Sequence, residues 1–536
     1  MKESKQSDTT DAEVGLVSDI DKQQEQQEPL LPTTEGGLGW YDPKQKPFDG
    51  PVSNKRPRYF LQVWRPVNIS LALSFLTVGL IGFASTAISV YLIKDRNASP
   101  IQLSCMASVV SLPWAFKIFI GIFSDGYPLG GYRRKPLILF GWIGYALSNL
   151  EMSRLTIDPD SQPSINTIIL YAFIGSFCMI IADVANDALC VERSQFETDV
   201  DKGALQSVGY SSRAFGGIIA AVAGAIVYNK EEFGWGLTIS QIYLIEGLIP
   251  LIVVVPFVWP LIEIASNTAF ESFEDQMLSI WQIVQMRSLW EPMSFVFLYN
   301  ILQIPNAAFG NFLLLGLEFS PLYMGILNIT STVVTLVAMI IYQKFFFNLG
   351  IRQVFIWSTV AGIFISALQV VLILRLNLQI GLPDIAFLVI LTVLSVAIAT
   401  VTFVPMIVMF VAICPEGSEG TTYAMLTTIS NIASTVASDF GTIFLKIWDC
   451  SNDAIKRGDY EGIEYLTILT SAISVIPVAF IWLLPESKEK LIEMKKKEEK
   501  NEIAGALVVI ILVISILFTV ILNLYILLTP GEESKK

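Results

Sequence analysis

Five ionisable residues lie inside strongly apolar stretches of this 536-residue sequence. They are Lys117 in PWAFKIFIG, Asp183 and Asp187 in IIADVANDALC, Arg213 in GYSSRAFGG and Glu246 in YLIEGLIP. A charge at membrane depth is costly, and it persists where it is paired, faces a water-filled cavity or handles a solute. The four-residue spacing puts Asp183 and Asp187 on one helix face. Two kinds of chemistry follow. Lys117 and Arg213 can meet the carboxylates of an anionic solute, and Asp183, Asp187 or Glu246 can carry a coupling proton. The competing reading is structural, with Asp183 and Arg213 pairing to pin neighbouring helices. Trp114, one turn before Lys117, offers a stacking face. Asn300, Gln303, Asn306 and Asn431 offer amides for hydrogen bonding to a solute, unless they only glue helices together.

These residues need a membrane scaffold. The composition is 53% hydrophobic and 15% charged, against about 25% charge in soluble domains, and the mean hydropathy is +0.58. Apolar runs of bilayer-crossing length predict spans at 67–93, 100–123, 135–152, 165–190, 205–228, 238–262, 289–316, 321–347, 353–375, 383–413, 420–447 and 464–485. The polar stretch NTAFESFEDQ divides them six and six. The expected organisation is a disordered cytoplasmic tail (1–58), a six-helix bundle (59–262), a central cytoplasmic loop (263–288), a second six-helix bundle (289–486) and a charged linker (487–503). An uncharged run at 504–528 is long enough for a thirteenth span, expected to be peripheral to the transport core. Lys and Arg in short loops favour a cytoplasmic N-terminus. The inner side then holds Arg133, Arg134, Lys135, Arg193, Lys202, Arg287, Lys344, Arg352 and the 488–500 lysines.

Several function classes drop out. The chain has no histidine, which removes histidine-based nucleophilic catalysis and histidine-ligated metals. Its five cysteines, Cys105, Cys178, Cys190, Cys414 and Cys450, form no CxxC pair. No GxxxxGK[ST] motif suggests ATP-driven pumping. No basic arm or basic–aromatic stripe suggests nucleic acid. No cofactor and no enzymatic activity are expected, and the chain is expected to be monomeric. The acidic, Gln-rich N-terminus lacks the features of a signal peptide.

The loop between the second and third spans carries most of the remaining information. FKIFIGIFSDGYPLGGYRRKP runs from an apolar helix into Asp125, three glycines and three consecutive cations. Gly121, Asp125, Gly131, Arg133, Arg134 and Lys135 resemble the signature loop of major facilitators, in which such a cluster gates the cytoplasmic side. Glycines there permit a tight turn, and Asp125 would be neutralised by Arg134 or by the start of the eleventh span. Related segments recur in the two halves: GGYRRKPLILFGWIG with LGIRQVFIWSTVAG, and GALQSVGYSSRAF with GTTYAMLTTISNI. Two parallel six-helix repeats are the major facilitator architecture, so the expected fold is all-α, with two six-helix halves and an extra C-terminal helix.

Further detail narrows the family. The Pro-Trp before Lys117, the Tyr-Pro insertion and the Tyr-Arg-Arg-Lys-Pro run are similar to the folate–biopterin transporter family. So are ADVANDALCVERSQ, GALQSVGYSSRAFGG and ICPEGSEGTTYAMLTTISNI. The resemblance covers roughly residues 60–490. It implies a secondary transporter of folates or pterins. A folate presents two carboxylates and an aromatic pterin ring, which suits cations, amides and an aromatic face. Another heteroaromatic metabolite, such as S-adenosylmethionine, is the alternative within the same class, and a non-transporting receptor or scaffold is the alternative outside it. The expected location is the plasma membrane, or else an endosomal or organelle membrane.

Overall fold

The computed structural model describes residues 66–126, 129–194, 204–259, 261, 263, 273–346, 349–413, 419–486, 488–497 and 499–529. The N-terminal tail, Cys414 and the 264–272 stretch lie outside them. The described residues form helices joined by short connections, with no strand among them. In lipid this is expected, because a helix satisfies its own backbone polar groups.

A helix occupies each of the thirteen expected positions. Ten helices are long and apolar enough to cross a membrane. The third, seventh and eleventh positions hold helices outside that set: Lys135–Leu155, Arg287–Ile301 continued after a break by Phe309–Gly316, and Glu419–Phe444. Two regions expected as loop or linker also contain helix, Phe273–Val284 and Lys488–Lys497. Span numbers below follow chain order.

Two of the interrupted spans matter for the site, and both of these breaks carry a proline. Span 2 runs Pro100–Ala115, breaks at Phe116, and resumes as Lys117–Gly126. Pro113 lacks the amide that would continue the ladder. Span 7 opens at Leu302–Ala308, around Pro305. The Asn306 amide fills that gap by donating to the Ile463 carbonyl (3.1 Å) and the Thr467 hydroxyl (2.7 Å) of span 12, while its oxygen accepts from the Ala308 amide (3.1 Å).

The two halves meet along two seams. Span 2 packs on span 11, and span 5 packs on span 8. In the first seam, Leu112 and Ala115 are buried with Ile432 and Val436. Deeper toward the basic loop, Ile118 and Ile122 join a cluster containing Met425, Leu426 and Ile429.

The opposite end of the bundle is closed by amides. Asn311 donates to the Ala98 carbonyl (3.1 Å) and to the Asn452 side-chain oxygen (2.7 Å). Asn452 donates to the Ala98 (3.0 Å) and Asn97 (3.2 Å) carbonyls, and Lys456 reaches the Asn97 oxygen (2.9 Å). Residues 97–98 belong to the first half and 311, 452 and 456 to the second.

At the basic end, Leu129 and Tyr132 exchange two backbone hydrogen bonds (2.8 and 3.2 Å) around Gly130 and Gly131. Both glycines have positive φ, +63° and +84°. A two-residue hairpin turn with both central residues in that region calls for glycine. Glu263, following span 6, accepts from the backbone amides of Arg133 and Arg134 on one oxygen and of Lys135 on the other, all at 2.8 Å. It therefore caps span 3 from another element. Arg134 is buried and donates to the Ser124 hydroxyl. Asp125 lies in the last turn of Lys117–Gly126. Its side chain and residues 414–418, where its expected partner begins, lie outside the described residues.

The run at 504–528 is a single helix, Glu502–Leu528. It packs against spans 2, 7 and 11, with much of its surface left exposed. Its lead-in is stitched to the start of span 7. The Asn501 amide donates to the Gln285 carbonyl, the Arg287 amide donates to the Glu499 carbonyl, and the Arg287 guanidinium pairs with the Glu499 carboxylate, each at 2.8 Å. That hydrogen-bonded pairing holds the Glu499 carboxyl below the usual range.

The three-amide cap on Glu263 sets a stability expectation. Removing a capping acceptor costs about 1–2 kcal/mol. Glu263→Ala should melt at a lower temperature than the native protein in detergent, with Glu263→Gln between them. Equal melting temperatures for all three would show that water replaces the cap.

Candidate functional site

Close approach of spans 1 and 5 sets up the site. Gly79 of span 1 lies against the span 5 backbone, and a Cβ there would fall 2.1 Å from the Arg213 carbonyl oxygen. That contact fixes where Arg213 enters the bundle. The break at Phe116 makes Lys117 the first residue of the second half of span 2. Asp183 and Asp187 face both from span 4.

The result is a four-charge cluster rather than a pair. The Lys117 ammonium donates to Asp183 (3.1 Å) and to Asp187 (2.8 Å). The Arg213 guanidinium stands 3.8 Å from the other Asp183 oxygen. Two cations and two carboxylates leave no net charge. Trp114 lies beneath both cations, its ring centre 5.4 Å from the Lys117 nitrogen and 5.9 Å from the Arg213 guanidinium carbon. Asp183 is 2% exposed, whereas Asp187 and Arg213 are 29% and 35% exposed. The inner carboxylate is sealed, and the outer pair can be reached.

Arg213 also lines a cavity of about 820 Å³, within the range of small-molecule sites. Apolar side chains of spans 1 to 4 form most of its wall, together with Tyr145, Asn149, Tyr171, Tyr243 and Glu246. The Tyr145 hydroxyl donates to one Glu246 oxygen at 2.6 Å. The other Glu246 oxygen is buried without a hydrogen-bond partner. No salt bridge to Glu246 occurs among the described residues, in contrast to Asp183 and Asp187.

The second-half amides are placed differently. Asn300 donates to the Ser430 hydroxyl of span 11 (2.9 Å), and Asn306 closes the break in span 7. Gln303 is exposed and Asn431 half-buried, and neither lines this cavity. Arg133, Arg134 and Lys135 belong to the basic end, away from the cluster, whereas Gly121 lies one turn past Lys117 and against Val184 of span 4. Sequence reasoning missed Glu263, the Tyr145–Glu246 bond and the Asn97–Asn311–Asn452 closure. Only the last had a local signal, an asparagine-rich composition at loop ends.

A family model described as the BT1 family matches residues 78–505. The chain belongs to the BT1 family. A protein named folate-biopterin transporter from Synechocystis sp. is 26% identical over 428 residues, covering 80% of this chain and 83% of that protein. Folate transporter 1 of Plasmodium falciparum is 25% identical, covering 75% and 76%. Among solved structures, the nucleoside transporter NupG superposes with a TM-score of 0.57 at 17% identity, covering 78% of this chain and 98% of that one. A bacterial homologue of the human lysosomal transporter Spinster, in an inward-facing and occupied conformation, gives 0.54 at 14% identity, covering 83% and 99%. These likenesses show the major facilitator fold. This BT1-family chain is a multi-pass integral membrane transporter and not an enzyme.

The cluster geometry sets a test. Removing one partner of a buried ion pair costs about 3–5 kcal/mol, because the other charge stays behind uncompensated. Lys117→Ala should therefore lower the amount of folded protein in the membrane sharply. Adding Asp183→Asn to it restores neutrality and should recover folded protein, measured by size-exclusion chromatography of a fluorescent fusion. Full recovery by an Asp183→Arg, Arg213→Asp exchange alone would contradict the four-member cluster, because that exchange sets Lys117 against a new cation.

Proposed function

We propose that this chain carries a folate or pterin across the membrane by alternating access, coupled to protons. The observation that carries the reading is the reachable Arg213 beside Trp114, opening from a neutralised cluster onto a cavity with tyrosines and an amide on its wall. An anionic solute with a flat heteroaromatic ring matches that wall. Its carboxylate would meet Arg213, and Lys117 with it when Asp187 yields. Its ring would stack on Trp114 or a tyrosine. Asn149 joins the sequence-derived candidates as a donor and acceptor for the ring edge. The amides of Asn300 and Asn306 serve packing instead.

Among Asp183, Asp187 and Glu246, the proton carrier is best assigned to Glu246. Asp183 and Asp187 already face cations, so a proton there would compete with Lys117. Glu246 is buried with only a neutral hydroxyl donor, and a buried carboxylate without a cation favours its neutral form. The names of the relatives support the substrate class, and the fold supports alternating access. With the N-terminus cytoplasmic, the 130–135 turn is the inner gate and the Asn97–Asn311–Asn452 contact the closed outer side. The plasma membrane is the assigned location.

Uptake of radiolabelled folic acid into proteoliposomes, with and without an inward-acid gradient, tests this directly. Biopterin should compete, and S-adenosylmethionine should not. Arg213→Ala should reduce uptake at least tenfold. Glu246→Gln should abolish acceleration by the gradient while leaving solute exchange. Gradient-independent uptake by the native protein would remove the coupling claim, and preference for S-adenosylmethionine would overturn the substrate class.

A further inference from the structure

The C-terminal helix Glu502–Leu528 buries a polar stripe that the proposed transport site does not use. Ser515, Thr519 and Asn523 recur every fourth residue and are all buried, on a helix whose other faces are largely exposed and apolar. Asn523 donates to the carboxylate of Asp439 in span 11 at 3.0 Å. Asp439 is 1% exposed, and no cation pairs with it among the described residues. Thr519 and Ser108 of span 2 also face that carboxylate. One residue group thus joins three helices, two of which form the seam between the halves.

The helix does not grip the two halves equally. Its root is bound to the second half, through the Glu499–Asn501 stitch onto Gln285 and Arg287 and through Asp439 near its far end. Its last turn reaches the first half. The Asn166 amide of span 4 donates to the Leu527 carbonyl at 2.9 Å, and Ile526 and Leu527 pack on Cys105, Val109 and Ile169. Between these points, Leu512, Ile516, Phe518 and Val520 cover the cluster that unites spans 2 and 11. Asn523, Asp439, Ser108 and Asn166 all lie toward the end closed by Asn97, Asn311 and Asn452.

We propose that this helix is a clasp across the seam of spans 2 and 11, fastened through Asn523 and Asp439, and that it restrains opening at the end of the bundle carrying Asn97 and Asn452. A body anchored on one half and overlapping the other must slide on the first half whenever that end opens. The contacts that yield are the weak ones, a single hydrogen bond from Asn166 and the packing of Ile526 and Leu527. The contacts that hold are the buried polar ones, where an unpaired group in lipid is costly. Asn523 is a positioning residue: it fixes the clasp on span 11 and touches no solute in this reading. The proposal rests on the alternating-access reading but not on the identity of the solute.

The test separates the two. In a chain whose native cysteines are replaced, Ser89→Cys places a reporter on the cavity wall, and a membrane-impermeant maleimide is added from the non-cytoplasmic side. Labelling should quicken severalfold in Asn523→Ala and also in Asn166→Ala, which alters only an exposed contact and keeps the fold. Separately, Asn166→Cys with Leu527→Cys, once oxidised to a disulfide, should arrest folic acid uptake, and reduction with dithiothreitol should restore it. Unchanged labelling in both single-site variants, or a cross-linked chain that transports as fast as the reduced one, would overturn the clasp. If the native protein takes up no folic acid, the substrate reading fails, and the labelling rates alone decide on the clasp.

Discussion

Charge neutrality inside a low-dielectric bundle is the constraint on which the rest of this structure depends. Lys117, Arg213, Asp183 and Asp187 are each expensive in a membrane, and together they cancel. The ammonium of Lys117 bridges two carboxylates one helical turn apart on span 4, and the inner one, Asp183, also faces Arg213 of span 5, so spans 2, 4 and 5 meet at one carboxylate. That arrangement needs the break at Phe116 to orient Lys117 and the glycine at 79 to let span 1 reach the span 5 backbone. The same neutrality makes the cluster responsive. In the proposed transport reading, a solute carboxylate arriving at Arg213 would add a negative charge, and releasing a carboxylate contact or admitting a proton would offset it, so binding and rearrangement would be linked by electrostatics.

The two halves divide the work by chemistry. Charges and tyrosines concentrate in the first half, around the cavity. The second half contributes neutral amides and hydroxyls to helix breaks and end closures, such as Asn306 on span 12 and Asn311 on Asn452. This suits parts that must separate and rejoin. A neutral hydrogen bond contributes about 1 kcal/mol net, because water or another partner can replace it, whereas a buried ion pair broken from one side costs several times more. The ion pairs of the site lie within the first half, and neutral amides supply most of the described contacts that close the outer end between the halves.

Much of the architecture was legible because apolar length and loop charge are local properties. The helix positions followed from runs of residues, and the shared face of Asp183 and Asp187 followed from their spacing. The turn at Gly130–Gly131 followed from residue type. Lys117 was legible as a buried charge, but its partners were not. The sequence favoured Asp183 with Arg213, since those helices are consecutive, whereas the shorter contacts to Asp183 come from span 2. Glu263 was invisible for a related reason: it caps span 3 from beyond span 6, and nothing near residue 135 announces an acceptor 128 positions away. The amides of the second half were read as solute ligands because residue type alone does not distinguish a hydrogen bond to a solute from one that repairs a broken helix.

The C-terminal helix carries more signal than its apolar length. Its lack of charge and its length satisfy the requirements of a membrane span and predict a thirteenth helix. Yet an isolated span in lipid gains nothing from Ser515, Thr519 and Asn523. Lipid offers an asparagine amide no partner, so a polar residue repeated every fourth position marks a face that must meet another helix. The partner follows from the same logic. Among the described residues no cation pairs with Asp439 of span 11, and the donor that its carboxylate finds is Asn523 of the thirteenth helix. Two incomplete polar surfaces, one on the bundle and one on the thirteenth helix, meet on docking, where Asn523 donates to one oxygen of Asp439. The helix is thus tied to the transport core by the satisfaction of buried polar groups, and its position over the seam of spans 2 and 11 is a consequence of where that unpaired carboxylate lies.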